Sequence, residues 1–152
     1  MLPAERGAQL HALAKHHGVT VVDLVERWIL DDLEAAGLPV TLPGLEVKPM
    51  ADDRDAFVHL DAEGLPIVHA TANEARRLAS LFDGIAASGG KGEIATSPGD
   101  VVGVARVGRG MALTVRCGTS GNSGKRTITP GIARDLARQL RTAAEAIENA
   151  RA

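Results

Sequence analysis

The sequence predicts an α+β protein in which an N-terminal helix pair precedes two βββα repeats. The repeats are expected to form one antiparallel sheet with both helices on one face. Three observations carry this. Apolar residues recur at helical spacing over residues 3–36, the spacing changes to strand-like alternation beyond a stretch rich in proline and glycine, and an order of three strands and a helix occurs twice.

In the first helix Leu10, Leu13 and Ala14 make a short stripe. In the second, Val21, Leu24, Val25, Trp28, Ile29 and Leu33 fall on one face. Gly18 separates them, where a helix C-terminus favours a left-handed residue. Thr20 then opens the second helix, and Asp23 lies three residues on, where its carboxylate can reach back to the cap. Gly37 and Pro39 end the pair, so residues 1–37 form one segment and residues 38–44 a linker, within a stretch (36–44) that holds two prolines and two glycines.

The first βββα unit covers residues 45–90. Strands are expected at 45–50, 56–61 and 65–70, with a charged turn at 51–55 and a tight loop at Ala62-Glu63-Gly64. Thr71 caps a helix to about residue 87, with Glu74 as its capping partner. The second unit covers residues 91–152, with residues 88–99 as a joining segment. Its strands are expected at 101–107, 111–117 and 126–129, around a turn at 108–110 and a long loop at 118–125. Pro130 opens its helix at the first helical position, where the missing N–H costs nothing. The two helices align as Thr71/Thr129, Ala75/Ala133, Arg76/Arg134, Leu78/Leu136 and Ala79/Ala137, which suggests a duplication. Alternation turns Val58, Leu60, Val68, Ala70, Leu113, Val115 and Cys117 inward. It turns Phe57, His59, Ile67, His69, Thr114 and Arg116 outward, onto a mixed face suited to a partner or a second protomer.

Composition narrows the function. The 152 residues carry a formal charge of only −2, and the only Trp and Phe side chains are Trp28, Phe57 and Phe82, with no Tyr. Three scattered rings give no platform for single-stranded nucleic acid. The charge is nevertheless uneven. Residues 1–38 hold three basic and six acidic groups, 39–93 hold five and nine, and 94–152 hold nine and four, for net −3, −4 and +5. Arg106, Arg109, Arg116, Lys125 and Arg126 are therefore candidates to contact a nucleic-acid backbone or an acidic partner, unless the basic third simply lies beside the acidic middle. One cysteine, Cys117, allows no intramolecular disulfide, no apolar run reaches membrane-spanning length, and residues 1–10 lack the apolar stretch of a signal peptide. The expectation is a cytoplasmic protein with no membrane partner.

Leu2-Pro3, Leu13-Ala14, the turn Gly18-Val19-Thr20, and Leu24-Val25 followed by Trp28-Ile29 resemble the two helices of ribbon-helix-helix regulators of the Arc, MetJ and CopG kind. The resemblance covers residues 2–33. A helix-turn-helix fits less well, because Arg27 falls where that motif buries an apolar residue. In the ribbon-helix-helix family a strand before the first helix pairs across a dimer and reads the major groove. Met1 stands directly before Leu2-Pro3, so that strand is expected to be missing here. The resemblance implies a homodimer with Leu13, Leu24, Val25, Trp28 and Ile29 in its core. It also implies a phosphate contact at the start of the second helix, at Thr20 and Val21, with Lys15, His16 and His17 nearby.

Other chemistry is not supported. The loop from Cys117 to Arg126 has the glycines of a phosphate-binding loop, but the spacing is one residue too long. Arg126 stands where Ser or Thr would hold magnesium, and a strand follows instead of a helix. Cys117 reads as a buried structural thiol. Asp52, Asp53 and Asp55 read as a solvated turn, and His16 and His17 as partners of a helix C-terminus. His59 and His69 share a face but lack a third ligand at metal spacing. No cofactor, metal or catalytic constellation is expected, so the chain reads as a non-enzyme. Two functions remain. One is a small dimeric DNA-binding transcription regulator of the sort carried by phages, plasmids and other mobile elements. The other is a protein-interaction module, an inhibitor or adaptor, whose helix pair only dimerises.

Overall fold

A computed structural model describes residues 3–38, 42–51, 55–97 and 99–150. Leu2, the linker residues 39–41, and Asp52 and Asp53 lie outside these. The protein is α+β, with four helices and two antiparallel sheets among the described residues. It divides into two compact units, Met1–Val40 and Thr41–Ala152.

The smaller unit holds α1 (Ala4–His17) and α2 (Val21–Ala35). Gly18 takes the left-handed conformation at φ 67° and its N–H closes the last turn of α1 onto Ala14 and Lys15. Thr20 and Asp23 form a reciprocal capping box at the start of α2.

The larger unit begins with β1 (Leu45–Ala51), β2 (Ala56–Ala62) and β3 (Val68–Ala70), an antiparallel sheet in that order. Helix α3 (Ala72–Ser88) leads to β4 (Lys91–Ala95), β5 (Val101–Val107), β6 (Gly110–Arg116) and β7 (Ser123–Ile128), which form a second sheet in chain order. Helix α4 (Pro130–Asn149) closes the unit.

Four expectations change. The single sheet is two, of three and four strands. The segment 88–99, expected only to join the units, contains β4, whose single large apolar residue, Ile94, gives no alternation to read. Gly92 is at home there because Leu81 of α3 fills the space a β-carbon would take. The third strand is three residues long, because Leu65 donates its N–H back to Ala62 across the turn and Pro66 has no N–H to give. The last strand starts at Ser123, with Gly124 and Lys125 paired to Val115 and Thr114, so the loop before it is shorter than expected.

The two helices do not simply cover one face of one sheet. Helix α3 follows the first sheet but lies on β4 and β5 of the second, whereas α4 follows the second sheet and lies on β1 and β2 of the first. The helices also run antiparallel against each other. Arg76 of α3 pairs with Glu148 of α4, and seven residues on, Asp83 pairs with Arg141, seven residues back. One continuous core results. It joins Val58, Leu60 and Val68 of the first sheet to Val102, Leu113 and Val115 of the second through Leu78, Phe82, Leu136 and Leu140. Each of these fully buried large side chains contributes roughly 1.5–3 kcal/mol.

Backbone contacts tie the loops to this frame. The buried carboxylate of Asp100 accepts the Gly118 N–H at 2.9 Å, which brings Gly118 onto the Gly99 backbone. Gly118→Ala should therefore cost about 1–3 kcal/mol through overpacking. Gly84→Ala, on the exposed side of α3 with nothing near its β-carbon, should stabilise by about 0.5–1 kcal/mol. Urea denaturation of the two variants gives both signs in one comparison.

The start of α3 makes a pH-dependent contribution. Burial disfavours the charged form of Glu74, but hydrogen bonds from Thr71 and Ser97 outweigh it and hold the carboxyl below its ordinary value of 4.5. The stabilisation is complete above that ordinary value and is lost as pH falls through the depressed folded value. Glu74→Ala should cost about 1 kcal/mol at neutral pH and flatten the loss of stability on acidification, read from denaturation midpoints across the acid range.

Candidate functional site

Helix α2 has a wider apolar face than α1 can cover. Leu24 and Ala14 are buried, but Leu13, Trp28 and Ile29 keep 41%, 44% and 53% of their surface exposed. Arg6, Gln9, Leu10, Leu13, Val25 and Trp28 line a groove between the helices. A second depression continues it over Val25, Trp28, Ile29, Asp31 and Asp32. Of the five residues expected in a dimer core, Leu24 is already inside the single chain, Val25 is half-buried and the other three are open.

The start of α2 is differently equipped from a vacant phosphate site. Asp23 accepts from the Thr20 backbone N–H at 3.2 Å and from its hydroxyl at 2.7 Å, while the Asp23 N–H returns a bond to the Thr20 oxygen. A phosphate at Thr20 and Val21 would meet this carboxylate. Lys15, His16 and His17 occupy the last turn of α1, where positive charge complements the helix dipole.

The structure divides the basic residues of the second sheet. Arg126 donates from Nη1 to the carbonyl oxygen of Gly44 at 2.7 Å and of Glu63 at 3.4 Å, joining β7 to the edge of the first sheet. Arg106 bends back to the Gly108 carbonyl at 3.2 Å. Arg116 and Lys125 share the opposite face of their sheet, since Arg116 pairs with Ser123 and Lys125 with Thr114, two residues before Arg116. Both are exposed, as is Arg109 in the β5–β6 turn. Elsewhere on α4, Arg141 is paired with Asp83, and Arg138 with the buried Asp135.

On the outward face of the first sheet, register places Lys48 across from His59, and His59 across from His69. Nδ1 of His59 lies 3.2 Å from Nε2 of His69, within hydrogen-bond range, and the Phe57 ring lies 4.6 Å from that of His69. Burial, then the charge of Lys48 and the neighbouring His69, hold the His59 pKa below its ordinary value. Glu46 stands opposite Asp61 and is bonded by the Lys48 ammonium at 3.1 Å. Glu46, His59 and Asp61 each offer a ligand atom within 4.8 Å of the others. In the sequence alone the two histidines have no third group at metal spacing. The missing signal is the β1–β2 register, which sets positions 46 and 61 face to face only once the turn between the strands is known.

Cys117 departs from the expected buried strand thiol. It lies half-exposed just past β6, in a turn closed by Cys117 N–H to Asn122 O and Gly121 N–H to Cys117 O. Hydrogen bonds from Ser120 and Thr119 lower its pKa, with Sγ 3.2 Å from the Thr119 hydroxyl. The inward alternation of β6 ends at Val115, so the turn, not the sheet, sets the environment of this cysteine.

Comparison with known proteins finds no family model that matches the chain, and no curated protein or solved structure that matches it significantly. Among the described residues no helix is long and apolar enough to cross a membrane.

The different placements of neighbouring basic residues can be separated by stability. Arg126→Ala should cost roughly 1.5–3 kcal/mol, since two backbone carbonyls lose a charged donor. Lys125→Ala and Arg116→Ala should stay within about 0.5 kcal/mol, as for open surface positions. Chemical denaturation of the three variants measures the contrast.

Proposed function

We propose that this chain is a non-enzymatic interaction protein that forms a homodimer through α1 and α2 and offers its two-sheet unit to a protein partner, as an inhibitor or adaptor does. The observation that carries this reading is the open apolar groove of Leu10, Leu13, Val25 and Trp28, continued by Ile29. Exposed apolar surface of this kind is stabilised by association, and a lone exposed tryptophan is a strong anchor for it. The likeness of the helix pair to ribbon-helix-helix dimers supports a second copy of the chain as the occupant. In this reading residues 45–90 and 91–152 descend from one βββα unit. Thr71 and Thr129 support that descent, because each caps its helix by accepting the N–H three residues on.

The DNA-binding reading is second. It is favoured by Arg109, Arg116 and Lys125, which are exposed, with the last two on one face. Against it, Arg126 and Arg106 are directed to backbone carbonyls, and Asp23 occupies the cap of α2.

Sedimentation velocity and duplex-DNA anisotropy distinguish the two. The interaction reading expects a dimer that Ile29→Asp converts to a monomer with unchanged circular dichroism, and no salt-sensitive DNA binding. A monomeric parent chain would sink it. DNA affinity that falls with salt at a slope of about −0.9 per phosphate contact, flattened by Arg116→Ala or Lys125→Ala, would instead establish the regulator.

A further inference from the structure

We propose that the outward face of the three-stranded sheet holds a divalent transition-metal site, with Glu46, His59 and Asp61 as ligands, His69 as the outer partner that orients His59, and an open position for water or an exogenous ligand. The three ligands come from two fully paired strands, so their spacing is set by the sheet and not by a loop. Their ligand atoms already lie within 4.8 Å of one another. A tetrahedral ion at about 2.1 Å from each ligand needs separations of roughly 3.4 Å, a change within reach of rotation in the exposed Glu46 side chain.

Two features of the cluster point to a cation. First, Glu46 and Asp61 stand directly opposite each other, a placement of like charges that destabilises a sheet unless something positive offsets it. Lys48 does so in part, with Nζ 3.1 Å from Glu46 Oε2, and its ammonium marks where positive charge is favoured. Second, the His59–His69 contact at 3.2 Å is the kind of outer hydrogen bond that fixes the tautomer of a ligating imidazole. In the tautomer in which Nδ1 of His59 donates to Nε2 of His69, the lone pair of His59 lies on Nε2, where an ion can take it. One imidazole and two carboxylates suit zinc and its first-row neighbours, and the set leaves a coordination position unfilled, as catalytic and bridging zinc sites do.

The test is calorimetric titration of the metal-free full chain with Zn²⁺, paired with the visible absorption of a Co²⁺-loaded sample. One ion per chain is expected, with the cobalt bands of a four-coordinate site. His59→Gln and Asp61→Asn should each weaken zinc by at least about tenfold, and His69→Gln by roughly 10- to 100-fold. Lys48→Met, which removes the competing ammonium, should tighten binding several-fold. These side chains face outward, so circular dichroism should report an unchanged fold. The other metal-binding residue types are controls: Cys117→Ser and the double change His16→Gln with His17→Gln should leave the affinity as it was. Absence of saturable zinc binding overturns the proposal. So does binding that survives His59→Gln and Asp61→Asn, or is lost in the controls, and so does weakened or unchanged binding in Lys48→Met.

Discussion

The larger unit depends on the contact between α3 and α4. Each helix is covalently tied to one sheet and rests on the other, so neither sheet with the helix that follows it can complete its core alone. The contact is made possible by small residues. Ala75, Ala79 and Ala86 on α3, with Ala133, Ala137, Ala143 and Ala144 on α4, are all buried, and between them Leu78, Phe82, Leu136 and Leu140 fill the core. The two ion pairs that span the helices, Arg76 with Glu148 and Asp83 with Arg141, are half open to solvent. Exposed pairs of this type add little stability. Their effect is to select the register, since a slip of one helix by a turn would set these charges out of step.

This arrangement explains what could be read from the sequence and what could not. The starts of α2, α3 and α4 were legible because capping is local. Thr20 with Asp23, Thr71 with Glu74, and Pro130 after Thr129 each act within one turn. The inward and outward faces of β2 were legible too, because Val58 and Leu60 alternate with Phe57, His59 and Asp61. The division into two sheets was not. It rests on β4, which packs under α3 and pairs with β5, but whose one large apolar side chain, Ile94, leaves no alternation to mark a strand. Nor could the crossing of the helices be read, since an amphipathic stripe specifies a buried face without naming the surface that buries it.

The candidate sites divide in the same way. Sequence order identified the apolar stripe of α2, because its periodicity is its own. It named Arg126 and Lys125 together as a basic pair, but adjacent strand residues point to opposite faces. Lys125 is left to solvent, while Arg126 is drawn to the carbonyls of Gly44 and Glu63 across the seam between the sheets. The cluster of Glu46, His59 and Asp61 needs the register of two strands before it exists at all.

The charge gradient then has a physical reading. Part of the positive charge in the last third of the chain is used internally. Arg141 meets Asp83 of the acidic middle third, Arg138 meets Asp135, and Arg126 serves as a clamp. Among the described residues of that third, the exposed basic positions besides the paired Arg138 are Arg109 at a turn, Arg116 and Lys125 on a sheet face, and Arg134 on α4. A nucleic-acid surface draws its affinity from many phosphate contacts acting together. The proposed association therefore rests on the open apolar groove beside Trp28, where burial rather than charge would supply the binding energy.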